Sequence, residues 1–298
     1  MHFQPFLTYL TSEKRYSAHT SEAYRSDLGQ FEAFLKRTFE VDEPHQVSRT
    51  MIRSWVADLM SEGYKETSVH RKLSAANAWF RFLQREGQLI ANPARGIPKP
   101  KLPGRLPVFL EEAGAQHLYD LPKGEAENFS DFRDQLILQL FYETGMRLSE
   151  LIGLRDRDID RSIRQIRVTG KRNKTRFIPV SPDMIGKLDT YLRLRDAHFT
   201  DFKEDAFFVT DKAKKTTRSF VYTRVKRYLS AITTQSKRSP HVLRHTFATH
   251  MLNNGAELNV IKELLGHSSL AATQVYTHLS VAKLKGIHGK AHPRSNEV

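Results

Sequence analysis

Residues 161–176, RSIRQIRVTGKRNKTR, hold seven basic side chains and no acidic one. Like charges at this density repel one another unless a counter-charge is present, and the phosphate backbone of a nucleic acid supplies one. Lys171 follows Gly170 at the turn of a predicted hairpin, where a lysine can reach across to a leaving-group oxygen. Charge density alone also fits a solvated surface hairpin, so the segment indicates a phosphate contact without establishing it.

The segment HVLRHTFATHML begins at His241 and places Arg244 three residues later. On a helix, residues at this spacing lie on one face. His241 falls in the first helical turn, where free N–H groups and a partial positive charge favour an anion. The pair is therefore a candidate phosphate site, although the HxxR pattern by itself fits a structural role at least as well.

A third candidate lies in FYETGMRLSEL, at residues 141–151. Arg147 comes just after the helix-terminating Gly145, and Glu150 stands three residues further on. The planar guanidinium of arginine matches a pair of non-bridging phosphate oxygens, and a glutamate at this spacing can orient it. A purely structural Arg–Glu pair is the alternative interpretation.

The last motif is LLGHSSLAATQVYTHL, at residues 264–279. Gly266 ends one predicted helix, His267 lies at the break, and Tyr276 follows nine residues later. A helix–turn–helix DNA reader also produces this pattern. So does a capped pair of helices with the tyrosine ring half-buried in the core.

The composition narrows the class of partner. The chain has 298 residues and a formal net charge of +14, from 47 Lys and Arg against 33 Asp and Glu, which indicates nucleic acid or an anionic membrane surface. No stretch approaches ~18 uninterrupted apolar residues, and the N-terminus lacks the apolar core of a signal peptide. We therefore expect a cytoplasmic protein that binds nucleic acid and has no membrane partner. The absence of cysteine excludes disulfides, a thiol nucleophile and cysteine-based metal sites.

The clearest break in composition is ARGIPKPKLPGRLP at residues 94–107, with four prolines, two glycines and no acid. Proline fixes φ and biases the preceding residue away from helix, so we expect no compact helix here. The sequence thus predicts a helical domain at residues 1–93, a basic linker at 94–107 and a second domain at 108–298. Residues 99–298 carry 34 basic against 22 acidic side chains, so the second domain is the expected main contact with a polyanion.

Periodicity predicts the elements that position these residues. Apolar side chains at three- and four-residue spacing predict three helices in the first domain, near residues 17–36, 50–62 and 67–86. In the second domain the same signals predict helices at 131–142 and 148–154, strands at 164–169 and 176–180, and a third strand at 206–210. From Arg218 onward helix signals dominate, with Ser239 and Pro240 as a helix start.

In their order and spacing, the motifs TGMRLSEL, GKRNKTR, HVLRH, LLGHSS and TQVYTH resemble those of the tyrosine recombinase (phage integrase) family. The tail GKAHPR is typical of its Xer subgroup, and the resemblance covers nearly the whole chain. It implies a mainly α fold with a small β-sheet. A helical-bundle, SAM-like core-binding domain would be followed by a mixed α/β catalytic domain.

The resemblance also implies a site and a reaction. Tyr276 would attack a DNA phosphodiester and leave a 3′-phosphotyrosine with a free 5′-hydroxyl. His241 would act as general base, Arg147 and Arg244 would hold the non-bridging oxygens, and Lys171 would protonate the 5′-oxygen. Lys174 is the alternative to Lys171, and otherwise it and Arg176 are expected to contact the DNA backbone.

His267 would complete the site by donating a hydrogen bond to the phosphate. Fixed cations can replace a metal in this reaction, so we expect no metal ion and no cofactor. Strand transfer needs no ATP, and the chain contains no GxxxxGK[ST] motif. Near these motifs, His245, His250 and His278 are expected to be structural.

The implied partner is double-stranded DNA, clamped between the two domains. Four protomers would assemble on two DNA sites, with the segment from about residue 280 docking on a neighbouring protomer. A second, related recombinase and an activating DNA translocase are partners that the sequence leaves open.

The sequence favours a recombinase that resolves chromosome dimers at cell division. An integrase of a mobile element or integron remains an alternative. A non-catalytic DNA-binding regulator is a further one, but that interpretation does not explain why Arg147, Lys171 and Tyr276 occur together.

Overall fold

The computed structural model describes residues 1–102, 108–119, 128–170, 174–200, 204–235 and 237–266. The chain divides into two compact units, Met1–Arg105 and Leu106–Val298. Each unit has its own hydrophobic core. The predicted tail from about residue 280 lies outside the described residues.

The first unit is a bundle of helices. Its elements are α1 Gln4–Ser12, α2 Ala18–Phe39, a 3₁₀ turn Pro44–Gln46, α3 Arg49–Ser61 and α4 Glu66–Arg85. The three helices predicted in this domain are confirmed as α2, α3 and α4, and α1 is a further helix beyond those predicted. The centre of the bundle is aromatic, with Trp55, Trp79, Phe31 and Phe80 all buried.

The start of the proline-rich segment packs on α4. It meets two polar residues of that helix: the carbonyl of Pro100 lies 2.6 Å from His70 Nε2, and Lys99 Nζ donates to Ser74 Oγ at 3.2 Å. Ala94 and Ile97 are buried in the core of the first unit. Residues 97–102 form no helix, as expected from the prolines, and the part up to Pro100 is fixed to the bundle.

The second unit combines helices with a small sheet. In chain order its elements are α5 Glu112–Gln116, α6 Phe129–Thr144, α7 Leu148–Ile152, a 3₁₀ turn Asp156–Asp158, β1 Ile159–Asp160, β2 Gln165–Thr169, β3 Thr175–Pro179, α8 Pro182–His198, α9 Arg218–Ile232, α10 Pro240–Asn253 and α11 Leu258–Leu265. The central helix is α6, which packs against α8, α9 and α10. Taken together, the two units confirm the predicted fold class: mainly α, with a small sheet and a separate helical N-terminal domain.

The sheet is antiparallel in the order β1-β2-β3. In β2, Ile166 and Val168 are buried and alternate with more exposed neighbours, as the period of two requires. Ile166 lies opposite Ile178 and Val168 lies opposite Arg176. The side chain of Arg176 is therefore on the inward face of β3, the face that carries Ile178.

The prediction of a third strand at residues 206–210 is wrong. The third strand of the sheet is β1, and the apolar run forms only an isolated bridge between Val209 and Lys215. Phe207, Phe208 and Val209 are all buried, and the backbone N–H of Phe207 donates to the carbonyl of Leu154. The run is apolar because it fills the core as an irregular segment, not because it joins the sheet.

Within the described ranges, no helix is long and apolar enough to cross a membrane.

The turn after α6 generates a prediction about stability. Gly145 ends the helix at φ +58°, and a Cβ there would clash with Phe247 Cδ1 and approach Leu265 Cδ2 to 2.9 Å. Gly145→Ala should therefore lower the free energy of unfolding by about 2–4 kcal/mol, from left-handed backbone strain plus overpacking. Urea unfolding followed by circular dichroism measures the change.

The matched control is Gly255→Ala in the same unit. Gly255 has φ +88°, but a Cβ there would meet nothing within 4 Å. Only the backbone cost applies, about 1–2 kcal/mol. Equal losses for the two variants would contradict the packing argument at Gly145.

Candidate active site

Three of the six site residues named above lie in the described part of the chain, namely Arg147, His241 and Arg244. The structure brings Arg147 and Arg244 together at the C-terminal end of α11, and His241 lies one helical turn before Arg244 on α10. Lys171, His267 and Tyr276 lie outside the described residues.

Arg147 immediately precedes α7, in the N-cap position. The carboxylate of Glu150 accepts a hydrogen bond from the backbone N–H of Arg147 at 2.7 Å and from its Nη1 at 2.8 Å. Glu150 is buried, and the Arg147 side chain is 29% exposed. The expected orientation of Arg147 by Glu150 is confirmed, and the guanidinium is fixed at one end while remaining open to a substrate.

Arg244 lies on α10 and is buried. Its Nη1 donates to the carbonyl of Gly145 at 2.6 Å, and its Nη2 donates to the carbonyl of Leu265 at 2.7 Å. The first contact joins α10 to the turn just before Arg147. The second joins α10 to the end of α11. A buried guanidinium held by two carbonyls has one geometry only, as a phosphate-binding group needs.

Three arginines satisfy three successive carbonyls at the end of α11. Leu264 O accepts from Arg176 Nε at 2.6 Å, Leu265 O from Arg244, and Gly266 O from Arg147 Nη2 at 2.8 Å. The last carbonyls of a helix lack partners within the helix and carry partial negative charge. The end of α11 therefore attracts the cations from three separate elements and holds them side by side.

Glu150 receives a second guanidinium on the same carboxylate. Arg176 Nη1 donates to Oε1 at 2.8 Å and Nη2 to Oε2 at 2.9 Å. Burial by itself would raise the pKa of Glu150, but the hydrogen bonds from Arg176 and Arg147 lower this pKa to about 2. The carboxylate is therefore ionised throughout the physiological range, and it offsets part of the positive charge of the cluster.

The base of the basic hairpin lies against this cluster. A Cβ on Gly170 would lie 3.1 Å from Glu150 Oε1 and 3.5 Å from Arg147 Nη1. The backbone N–H of Gly170 donates to the carbonyl of Lys174 at 2.8 Å, which closes the hairpin on either side of the turn. The residue that precedes Lys171 is therefore in contact with the Arg147–Glu150 pair.

His241 lies in the first turn of α10, one helical turn before Arg244. Its ring is open to solvent on one side. Partial burial of the other side, followed by the positive charges of Arg244 and Arg147, lowers the pKa of His241. The imidazole is therefore neutral at pH 7 and able to accept a proton.

Two further histidines, His245 and His250, lie on α10. His250 is buried, with Nδ1 at 3.0 Å from the hydroxyl of Tyr142 and Nε2 at 2.9 Å from the carbonyl of Leu110. Burial lowers the pKa of His245 to about 4, so its ring is neutral. The contacts of His250 agree with the structural role expected for it, whereas that of His245 stays a prediction.

Arg176 is the residue whose role the sequence analysis missed. The expectation was a contact with the DNA backbone, but the guanidinium points inward, and its side chain is only 13% exposed. The signal was present in the register of the hairpin: Arg176 and Ile178 are two apart on β3, and so share one face. An arginine two residues from a buried isoleucine is an inward-facing arginine.

Among the residues that the structure describes, no group of three or more His, Asp or Glu side chains could hold a metal ion.

The comparisons with known proteins agree with this fold. The model of the phage integrase family matches residues 109–283, and that of the phage integrase N-terminal SAM-like domain matches residues 3–87. The tyrosine recombinase XerC of Chlorobaculum parvum is 35% identical, over 97% of this chain and 94% of that protein.

Two solved structures are also similar. The crystal structure of XerA recombinase is 28% identical, covers 97% of each chain and gives a TM-score of 0.55. That of XerH site-specific recombinase, bound to palindromic difH substrate in a post-cleavage complex, gives a TM-score of 0.75 at 22% identity, over 90% of this chain and 79% of that one. At this lower identity the similarity is one of fold.

The chain therefore belongs to the phage integrase family, the tyrosine recombinases. Within that family it is of the Xer type, as its XerC relatives indicate. Such an enzyme cuts and rejoins DNA at specific sites through a tyrosine nucleophile.

The lowered pKa of His241 generates a prediction for the DNA-free protein. Its imidazole should titrate below the ordinary value of 6.5, because burial and two nearby guanidinium groups disfavour the imidazolium. An NMR titration of the imidazole Cε1–H signal between pH 4 and 8 measures the midpoint. In Arg147→Gln, one cation is removed, so the midpoint should rise toward 6.5. A wild-type midpoint at or above 6.5 would contradict the charge argument.

Proposed function

We propose that this protein breaks and rejoins double-stranded DNA through a 3′-phosphotyrosine at Tyr276, and that it resolves chromosome dimers at cell division. One observation carries the proposal: Arg147 and Arg244, from separate segments, converge at the end of α11, with His241 one helical turn before Arg244 on α10. Residue 267 follows this helix end directly in the chain, and Tyr276 follows nine residues later.

The two arginines would bind the non-bridging oxygens of the scissile phosphate. Two of the five N–H donors of Arg147 are used by Glu150 Oε1 and Gly266 O, so the 29%-exposed guanidinium keeps donors for a substrate. A phosphorane has more negative charge on these oxygens than the diester has. Cations held in place beforehand therefore stabilise the transition state more than the ground state.

Proton transfer would involve His241 and Lys171. A phenol has a pKa of about 10, so only about 0.1% of Tyr276 would be ionised at pH 7 without activation. Neutral His241 would take the phenolic proton as the oxygen attacks phosphorus. Lys171 would donate a proton to the 5′-oxygen as its bond to phosphorus breaks, and His267 would donate a hydrogen bond to the phosphate.

The bond energy is retained in the phosphotyrosine. The 5′-hydroxyl of a second strand can attack that linkage and reverse the chemistry, so strand exchange would need neither ATP nor a cofactor. No water enters the balance, because each step exchanges one phosphodiester for another.

The proposed partner is double-stranded DNA, bound by both units in the cytoplasm. Four protomers would assemble on two sites, and the segment from about residue 280 would dock on a neighbour. A second, related recombinase and a DNA translocase are further proposed partners. The solved XerH relative, which is bound to its difH substrate, supports the DNA-binding part of the proposal.

The first test of this function detects a covalent protein–DNA adduct. The protein first selects its site from a pool of random duplexes, and that site is then built into a duplex with a nick near the cleavage position. Loss of the short 5′-hydroxyl fragment should trap an SDS-resistant protein–DNA adduct. Tyr276→Phe should form no adduct while binding the same duplex with unchanged affinity, because only the nucleophilic oxygen is removed.

Two results would contradict the assignment. An adduct formed by Tyr276→Phe would mean that another residue is the nucleophile. Site-specific binding by the wild-type chain without any adduct would favour a non-catalytic DNA-binding regulator.

The second test of this function concerns salt. If the protein neutralises 6–10 phosphates, affinity should fall by about 10³–10⁵ between 50 and 200 mM salt, at about 0.9 in log–log slope per phosphate. Fluorescence anisotropy with a labelled duplex measures the slope. A slope near zero would exclude an extensive contact with the DNA backbone.

A further inference from the structure

Arg176 is a buried basic residue that the proposed reaction does not use. It lies on β3, on the face of the sheet that carries Ile178, and its side chain is 13% exposed. Its three guanidinium nitrogens all have acceptors inside the protein: Nη1 and Nη2 donate to Glu150, and Nε donates to the carbonyl of Leu264. An arginine with these contacts is not available to bind a DNA phosphate.

The first consequence concerns Arg147. Glu150 Oε1 accepts from both Arg147 Nη1 and Arg176 Nη1, and Oε2 accepts from both Arg147 N and Arg176 Nη2. Each carboxylate oxygen is thus held by both arginines. Since Arg147 is aligned by that carboxylate, the two bonds from Arg176 fix the direction in which Arg147 presents its remaining donors.

The second consequence concerns the end of α11. By holding Leu264 O, Arg176 fixes the carbonyl that precedes those of Leu265 and Gly266. Those two carbonyls orient Arg244 and Arg147 respectively. One side chain therefore contributes to the placement of both proposed phosphate-binding arginines.

There is little room for Arg176 to move. Gly266 has φ +63°, and a Cβ on it would lie 3.1 Å from Arg176 Nη1 and 3.3 Å from both Cδ and Cζ. The guanidinium is packed against the backbone at the helix end. A shift of this group would therefore displace the chain at Gly266, immediately before residue 267.

We propose that Arg176 is a positioning residue for DNA cleavage: through Glu150 and the carbonyl of Leu264 it sets the geometry of Arg147, Arg244 and the end of α11. This inference rests on the proposed function, because it assigns those two arginines to the scissile phosphate. The role needs a planar fork that meets two carboxylate oxygens and a carbonyl at once. A lysine ammonium supplies the charge but not this geometry.

The test variant is Arg176→Lys, compared with wild type on the nicked duplex described above. The single-turnover rate of adduct formation at saturating protein should fall about 10–100-fold, since misplacing a phosphate-binding group by about 1 Å is enough for such a loss. The Kd for the same duplex, from fluorescence anisotropy, should stay within about threefold of wild type, because Arg176 does not contact DNA.

The matched control is Arg195→Lys. Arg195 is also buried, donates from Nη1 and Nη2 to the carboxylate of Asp156 at 2.9 and 2.8 Å, and reaches a backbone carbonyl, that of Phe207. It is on α8, and its partners Asp156 and Phe207 belong to neither α7 nor α11. This variant loses the same kind of pair, so its cleavage rate per folded molecule should be unchanged.

A chemical rescue separates positioning from stability. Adding guanidinium at low millimolar concentration to Arg176→Ala should restore part of the cleavage rate, whereas methylammonium, which lacks the fork, should not. Folded fractions are followed by circular dichroism, and rates are expressed per folded molecule, so a loss of stability in either variant is not counted as a loss of rate.

The outcomes are distinct. A wild-type rate in Arg176→Lys would overturn the inference and leave the proposed function intact. So would a loss of DNA affinity as large as the loss of rate, or equal rate losses in Arg176→Lys and Arg195→Lys. Absence of any adduct with the wild-type chain would instead overturn the proposed function, and the inference with it.

Discussion

At the C-terminal end of α11, three successive carbonyl oxygens accept hydrogen bonds from three arginines that come from different parts of the chain. A helix end carries partial negative charge and unsatisfied acceptors, so it is a natural site for cations. Here that general property is used to gather Arg147, Arg176 and Arg244. The rest of the second unit keeps α7, β3 and α10 close enough for the three side chains to reach.

Arg147 and Arg176 together carry two positive charges against the one negative charge of Glu150. Their other acceptors among the described residues are the backbone carbonyls of Gly266 and Leu264, which satisfy hydrogen bonds but do not neutralise a charge. Part of the charge of Arg147 therefore remains for an anion to offset. This residual charge explains how the same residues can be stable without a ligand and still favour a phosphodiester. Burial, together with the positive charges of Arg244 and Arg147, lowers the pKa of His241 and keeps its ring neutral.

α10 has a structural task besides carrying His241 and Arg244. Thr246 Oγ1 accepts from the backbone N–H of Leu110, and His250 lies against the carbonyl of the same residue. The chain is thus fixed to α10 shortly after the proline-rich segment, much as the start of that segment is fixed to α4 in the first unit. α10 therefore both carries His241 and Arg244 and binds the backbone at Leu110.

Local sequence signals predict most of the helices of this protein, its family and one ion pair of the site. Helix periods, capping residues and glycine stops located α2, α3, α4, α6 and α10, because those signals act within a few residues of chain. The motifs identified the family, and residue type with spacing alone paired Arg147 with Glu150. Ser181 and Pro182 start α8 by the same local signal with which Ser239 and Pro240 start α10. α8 is a helix beyond those predicted.

Tertiary structure determines the conformation of residues 206–210 and the hydrogen-bond partners of Arg176. The apolar run at 206–210 is buried without joining the sheet, since hydrophobicity reports burial and not hydrogen-bond partners. Arg176 turns inward to a carboxylate 26 residues away and to a backbone carbonyl 88 residues away. Every residue has a backbone carbonyl that can accept a hydrogen bond, whatever its side chain. The sequence therefore does not predict which arginine will donate to a given carbonyl. Only the packing of β3 against α11 makes that choice.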